Sequence, residues 1–206
     1  MKVLALDVST KTGWAVFDNS DGMPLIEQLT EYGLIKNPKG VLEYGKYPWC
    51  YLTAAVTMAL QLVVLAKEKK PDVIVIEETN KSRNRYSQKV LEYIHCSFLE
   101  RWTDTSVPVC YVNSSEWRKR LGLVMSKNDK VSNKKLKTAK KLSEATGKKL
   151  SKKELGIKGA ITKKHLAVRY VNETFNLKLK IGENDIADAI CLGNAYIVGA
   201  QICDGK

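Results

Sequence analysis

Two short apolar runs that stop at acids constrain this chain more than any other feature: Val3-Leu4-Ala5-Leu6 ends at Asp7, and Val73-Ile74-Val75-Ile76 ends at Glu77. Each has the length and composition of a strand. The second is preceded by Pro71 and by a long apolar helical pattern, so it is expected as a buried strand on the far side of a helix.

The rest of the order follows from period and punctuation. Lys2–Asp7, 13–17 and 29–35 are expected as strands, and the connections Ser9-Thr10-Lys11-Thr12 and Asp18-Asn19-Ser20-Asp21-Gly22 are short, which implies an antiparallel meander. Over 51–69, Leu52, Ala55, Val56, Ala59, Leu62, Val63 and Ala66 recur every three or four residues and predict a helix. A further amphipathic helix is expected over 88–102, a strand over 108–112, a short helix capped by Ser114-Ser115-Glu116-Trp117, and helices over 162–175 and 185–198. Strands alternating with helices pair in parallel, so 73–77 and 108–112 should lie parallel to each other and to the first strand. The expected fold class is α/β: a mixed five-stranded sheet flanked by helices, in one domain spanning 1–206.

The acids fall at the ends of these elements. Parallel neighbours would bring Asp7 and Glu77 together at one sheet edge, where open α/β sheets bind ligands. Asp185 and Asp188 are three apart and share one helix face. Four converging carboxylates repel unless a cation neutralises them, and hard oxygen ligands select Mg²⁺, with Mn²⁺ as a substitute, over zinc. Two such ions about 3.5–4 Å apart would clamp a scissile phosphate. Plainer structural roles exist for single members: Asp7 as a strand end, Asp185 as a helix N-cap. Asp188 lies in the apolar run Ile186-Ala187-Asp188-Ala189-Ile190, where an unpaired acid is costly. Glu78 competes with Glu77, since neighbouring strand residues face opposite ways.

Charge is regional. The net +12 divides into −2 over 1–80, +17 over 81–180 and −3 over 181–206, and 127–164 holds fourteen lysines against three acids. A lysine-rich insertion at about 126–160 is expected to face phosphates, and to be poorly ordered without nucleic acid. The five cysteines show no C-x-x-C spacing, and Cys50, Cys96, Cys110 and Cys191 sit in apolar stretches, as buried reduced thiols would. No apolar run reaches about 18 residues, so a soluble cytoplasmic protein without a membrane partner is expected. His95 and His165 have no ligand-spaced partner and are expected to be structural.

Three segments carry a family resemblance. Asp7-Val8-Ser9-Thr10-Lys11-Thr12-Gly13-Trp14-Ala15-Val16 resembles the first motif of RuvC-type Holliday-junction resolvases, Ile74-Val75-Ile76-Glu77 the second, and Asp185-Ile186-Ala187-Asp188-Ala189 the last. The element order resembles the ribonuclease H-like fold. Length and insertion are similar to the bacteriophage members. The resemblance implies a Mg²⁺-dependent endonuclease that resolves four-way DNA junctions by paired nicks, acting as a homodimer because two symmetrical cuts need two sites on a twofold axis. It makes Asp7, Glu77, Asp185 and Asp188 the catalytic and metal-binding residues, with two ions per site. It also implies phosphate contacts from Arg118 or Lys119 and from Lys163 or Lys164. Three departures stand out: Ser9 replaces a common glycine, the turn to Gly13 is one residue shorter, and Asn80 stands where an aromatic residue stacks on a crossover base. Tyr86, near Arg83 and Arg85, is the substitute stacker.

Other outcomes stay open at this point: a nuclease of the same fold cutting flaps, branched DNA or RNA–DNA hybrids, or a non-catalytic junction- or RNA-binding module. The actin-like ATPases, which share the first acid, need a second domain and a glycine-rich loop that this chain lacks.

Overall fold

The computed structural model describes all residues except 21–22, 42, 44, 80–84, 148–150, 152–153, 157–158 and 205–206. Five strands, β1 (Lys2–Asp7), β2 (Lys11–Asp18), β3 (Leu29–Lys36), β4 (Val73–Glu77) and β5 (Val109–Val112), form one mixed sheet in the order β3-β2-β1-β4-β5. The first three are the antiparallel meander, and β4 and β5 join in parallel, with Leu6 opposite Ile76 and Glu77 opposite Val112.

Strand alternation decides what each face meets. Leu4, Leu6, Ile74 and Ile76 point to one side and pack under α2 (Trp49–Lys69) and α3 (Arg85–Arg101), whose Met58, Leu62, Ile94 and Phe98 are fully buried. Val3, Ala5, Val73 and Val75 point to the other side and meet α7 (Asn184–Asp204), with Trp117 of α4 (Ser114–Arg120) and Val171 and Phe175 of α6 (Lys163–Phe175) filling in around it. Each large side chain so buried contributes about 1.5–3 kcal/mol. α7 approaches closely because Ala187, Ala189, Gly193 and Ala195 are small. A Cβ on Gly193 would meet the Phe17 ring at 2.5 Å.

The expected elements are present with ends moved by a few residues, and two additional α-helices appear among the described residues. One is α1 (Leu25–Gln28). The other, α5 (Lys127–Thr146), occupies the first part of the lysine-rich insertion, of which 148–150, 152–153 and 157–158 lie outside the described residues. It carries too few apolar residues to show a core periodicity, and both of its ends are capped. Ser126 and Asp129 form a reciprocal capping box, and Gly147 closes the C-terminus in the left-handed conformation. The cysteine expectation is corrected in part: Cys50 and Cys191 are buried and Cys110 is half-buried, but Cys96 is exposed, because it falls on the solvent side of α3. All four are free thiols. α2 is long and apolar enough to cross a membrane by length and composition, but half of its most apolar stretch is buried in the protein, as suits a core helix.

Candidate active site

The parity that sends Val3, Ala5, Val73 and Val75 toward α7 also sends Asp7 and Glu77 there, at the ends of adjacent parallel strands. α7 begins above them. Asp7 pairs with Gly13 across β1 and β2, and Gly13 in turn lies against the Asp185 backbone, so the turn of the hairpin seats the helix start beside Asp7. One helical turn on, buried Asp188 faces the same strand ends.

Electrostatics tie the four acids into one site. Burial raises the Asp7 carboxyl well above its usual range, and Asp188, Glu77 and Asp185 add to that rise in this order, with Arg118 opposing it. Asp188 is pushed up to about 6, first by burial, against the lowering effect of Arg118 and Lys164 and with further rises from Glu77 and Asp185. Burial also raises Glu77, while the Trp117 hydrogen bond, Arg118 and Lys163 lower it.

Each acid other than Asp7 has a named partner. Glu77 Oε2 accepts from Trp117 Nε1 at 2.9 Å. Arg118 approaches Asp188 Oδ1 with its nearer nitrogen at 3.3 Å, and its guanidinium stacks 3.9 Å above the Trp117 ring. Lys11 Nζ lies 2.6 Å from Asp185 Oδ2. The turn that presents Lys11 is closed by hydroxyls: Ser9 N–H donates to Thr12 Oγ1, Thr12 Oγ1 donates to the Ser9 carbonyl, and Ser9 Oγ donates to the Lys11 carbonyl. Glu78 points away and accepts from Asn113, the N-cap of α4.

Arg118, Lys163 and Lys164 therefore join the acids, the two lysines from the first turn of α6. Lys119, one residue from Arg118, is exposed. Arg85 and Tyr86 begin α3, and the Tyr86 ring is 63% exposed, 6.4 Å from that of Tyr51. Those two tyrosines line a cavity of about 450 Å³ with Ser9 and Thr10, two and three residues past Asp7. Arg83 and Asn80 lie outside the described residues. Three members of the site were not singled out from sequence: Lys11, Trp117 and Gly13 as a contact for α7. Lys11 sits four residues past Asp7 in the first motif and Trp117 immediately precedes Arg118, but their partners come from 40 or more residues away. The histidines are structural in contact: His95 is buried with Nδ1 3.1 Å from the Tyr111 hydroxyl, and His165 caps α6 through Thr162.

An all-oxygen donor set in which burial makes Asp7, Glu77 and Asp188 hold their protons more tightly than usual suits a hard divalent cation. Among the described residues no three of His, Cys, Asp and Glu are gathered as a closed ligand set, and the cations on Asp185 and Asp188 supply part of the neutralising charge.

No family model and no curated protein matches the sequence. Solved structures match the fold. Thermus thermophilus RuvC in complex with its Holliday junction substrate is similar at a TM-score of 0.61 with 12% identity, over 98% of this chain and 96% of that one. A structure of Thermus thermophilus RuvC gives 0.61 and 13%, over 98% and 97%. The yeast mitochondrial Holliday junction resolvase Ydc2 gives 0.55 and 12%, over 98% and 80%. The mixed five-stranded sheet flanked by helices is thus the ribonuclease H-like arrangement of these proteins.

Proposed function

We propose that this chain is a divalent-metal-dependent endonuclease that resolves four-way DNA junctions by paired nicks. The observation that carries the reading is the convergence of Asp7, Glu77, Asp185 and Asp188 at one end of the sheet, in a protein of net charge +12. The shared fold supports it, since one of the similar structures is RuvC on a Holliday junction.

Asp7, Glu77, Asp185 and Asp188 would hold Mg²⁺ or Mn²⁺, two ions in the full site, which when bound supply an activated water and neutralise the leaving oxygen. Trp117 keeps Glu77 oriented and opposes the rise that burial imposes, because a hydrogen bond to the carboxylate favours the charged state. Lys163 and Lys164 stand at the N-terminus of α6, where the helix dipole adds to their charge, and hold the scissile phosphate. Arg118 neutralises Asp188 in the free protein and is placed to turn to phosphate when substrate arrives.

A homodimer supplies the second cut. Trp49, Leu60 and Val64 of α2 are 67%, 51% and 54% exposed and fall on one helical stripe, which is the surface offered to a twofold partner.

The test is cleavage of a labelled four-way junction, a flap, a linear duplex and an RNA–DNA hybrid, with Mg²⁺ or EDTA, beside Asp7→Asn and Glu77→Gln. Mg²⁺-dependent paired nicks in the junction, lost in both variants while binding persists, are expected. Cutting of another substrate moves the biology and keeps the chemistry. Binding without cutting leaves a non-catalytic module.

A further inference from the structure

The active site leaves most of the basic charge unused. Seven lysines lie on α5, and five of them, Lys127, Lys130, Lys134, Lys137 and Lys141, recur at intervals of three, four, three and four residues. At 3.6 residues per turn these five form a single stripe about 21 Å long. All five are exposed. The opposite side of the helix holds it to the protein: Ala139 is buried, Leu136 and Ser143 are half-buried, and Asn133 both donates to the Ile161 carbonyl and accepts from the Ile161 N–H.

Like charges at these intervals destabilise a helix by about 0.2–0.5 kcal/mol per pair. None of the five is in an ion pair among the described residues, and the one such pair on α5 is Lys140 with Glu144. The repulsion is left uncompensated, and a polyanion would offset it. In chain order the helix falls between two elements that carry basic residues of the site, α4 with Arg118 before it and α6 with Lys163 and Lys164 after it. An anionic membrane fits less well, because α5 has no aromatic residue to enter an interface and its exposed large apolar side chains are Val131 and Leu142 alone.

We propose that the lysine stripe of α5 seats the backbone of a duplex arm leaving the junction, so that α5 sets affinity and arm geometry while the acids do the chemistry. The inference rests on the reading of the chain as a junction-binding protein. Duplex DNA presents a charge about every 1.7 Å of axis, so a stripe of this length meets enough phosphates for all five lysines.

The experiment measures junction binding in EDTA against salt for the full-length protein, for Lys130/Lys134/Lys137→Gln, and for a control, Lys67/Lys70/Lys178→Gln, which removes the same charge from exposed positions. Gln keeps helix propensity, and circular dichroism checks the fold. Each lost phosphate contact lowers the slope of log K against log salt by about 0.9, so the α5 variant should lose about 2.7 in slope and the control much less. Shortening the arms should bring variant and parent together. An unchanged slope in the α5 variant, an equal loss in the control, or α5-dependent binding to anionic vesicles without a change at the junction overturns the proposal. Cleavage by the unmodified protein in Mg²⁺ is scored separately: a steep, α5-dependent slope without cutting overturns the endonuclease and leaves the arm site standing.

Discussion

The carbonyl oxygen of Asp185 lies so close over Gly13 that a Cβ at position 13 would meet it at 1.9 Å, with the Asp185 carbonyl carbon at 2.3 Å and the Ile186 nitrogen at 2.8 Å. All three atoms are backbone, so an alanine cannot be relieved by a side-chain rotation; the start of α7 must move. Gly13→Ala is expected to cost about 1–3 kcal/mol, a fall in Tm of roughly 3–10 °C for a chain of this size. It should lower metal-dependent cleavage by about a hundredfold, because Asp185 and Asp188 move with the helix. Gly182→Ala is the control, since its Cβ would meet nothing within 4 Å. Thermal melts and single-turnover cleavage check both. Equal behaviour of the two variants would contradict the packing of α7 on β2.

Asp7 sits only partly exposed among three other acids, and its ionised form is disfavoured first by burial and then by Asp188, Glu77 and Asp185. Removing that charge should help the metal-free protein. Asp7→Asn is expected to raise Tm in EDTA at pH 7 by several degrees, at about 2–4 °C per kcal/mol, while abolishing cleavage. Mg²⁺ should stabilise the parent and do little for the variant. Differential scanning calorimetry with and without Mg²⁺ measures both effects, and a lower Tm for the variant in EDTA would remove the case for a strained acid cluster.

The strand ends were legible because Val3-Leu4-Ala5-Leu6 and Val73-Ile74-Val75-Ile76 are short apolar runs that stop at a charge; alternation alone left Glu77 against Glu78 open, and it is the seating of α7 and α4 that puts Glu77 against Trp117 and Glu78 against Asn113. α5 was not legible, since hydrophobic periodicity detects helices that bury a face and this one turns mostly lysine and small polar residues outward. Capping carries its signal: Ser126-x-x-Asp129 at one end, Gly147 at the other. Lys11 and Trp117 escaped for a different reason. Nothing local marks a lysine in a turn or a tryptophan in a short helix as a partner for acids elsewhere in the chain; only the seating of α7 and α4 on the sheet brings them there.

His95 provides a pH dependence away from the acids. Burial lowers its pKa to about 4 from an ordinary 6.5, so the folded protein resists the proton that the unfolded chain accepts. As pH falls from 6.5 toward 4 the unfolded state binds more protons, and the stability present above pH 6.5 is lost at up to about 1.4 kcal/mol per pH unit. His95→Gln can keep a hydrogen bond to Tyr111 and cannot titrate there. Urea unfolding at intervals between pH 4 and 7.5 should give a shallower acid-side fall for the variant than for the parent. Parallel curves would show that the histidine is not the group responsible.

The stripe of Trp49, Leu60 and Val64 is the remaining apolar surface on α2, a helix whose other side fills the core with Ala55, Met58, Ala59 and Leu62. A charge at position 60 or 64 removes no core contact, because both side chains already stand more than half in solvent. Leu60→Glu and Val64→Glu should therefore fold with unchanged melting in dilute solution, and on the proposed homodimer they should sediment as monomers and the parent at twice that mass. Cleavage should change in kind: two active sites on a twofold axis nick both strands of one bound junction, whereas monomers nick independently, so the paired product should give way to singly nicked junctions at low enzyme concentration. Analytical ultracentrifugation and a supercoiled cruciform substrate, which separates single nicks from paired ones, read the two effects. Paired nicking by a variant that sediments as a monomer would place the twofold contact elsewhere on the protein.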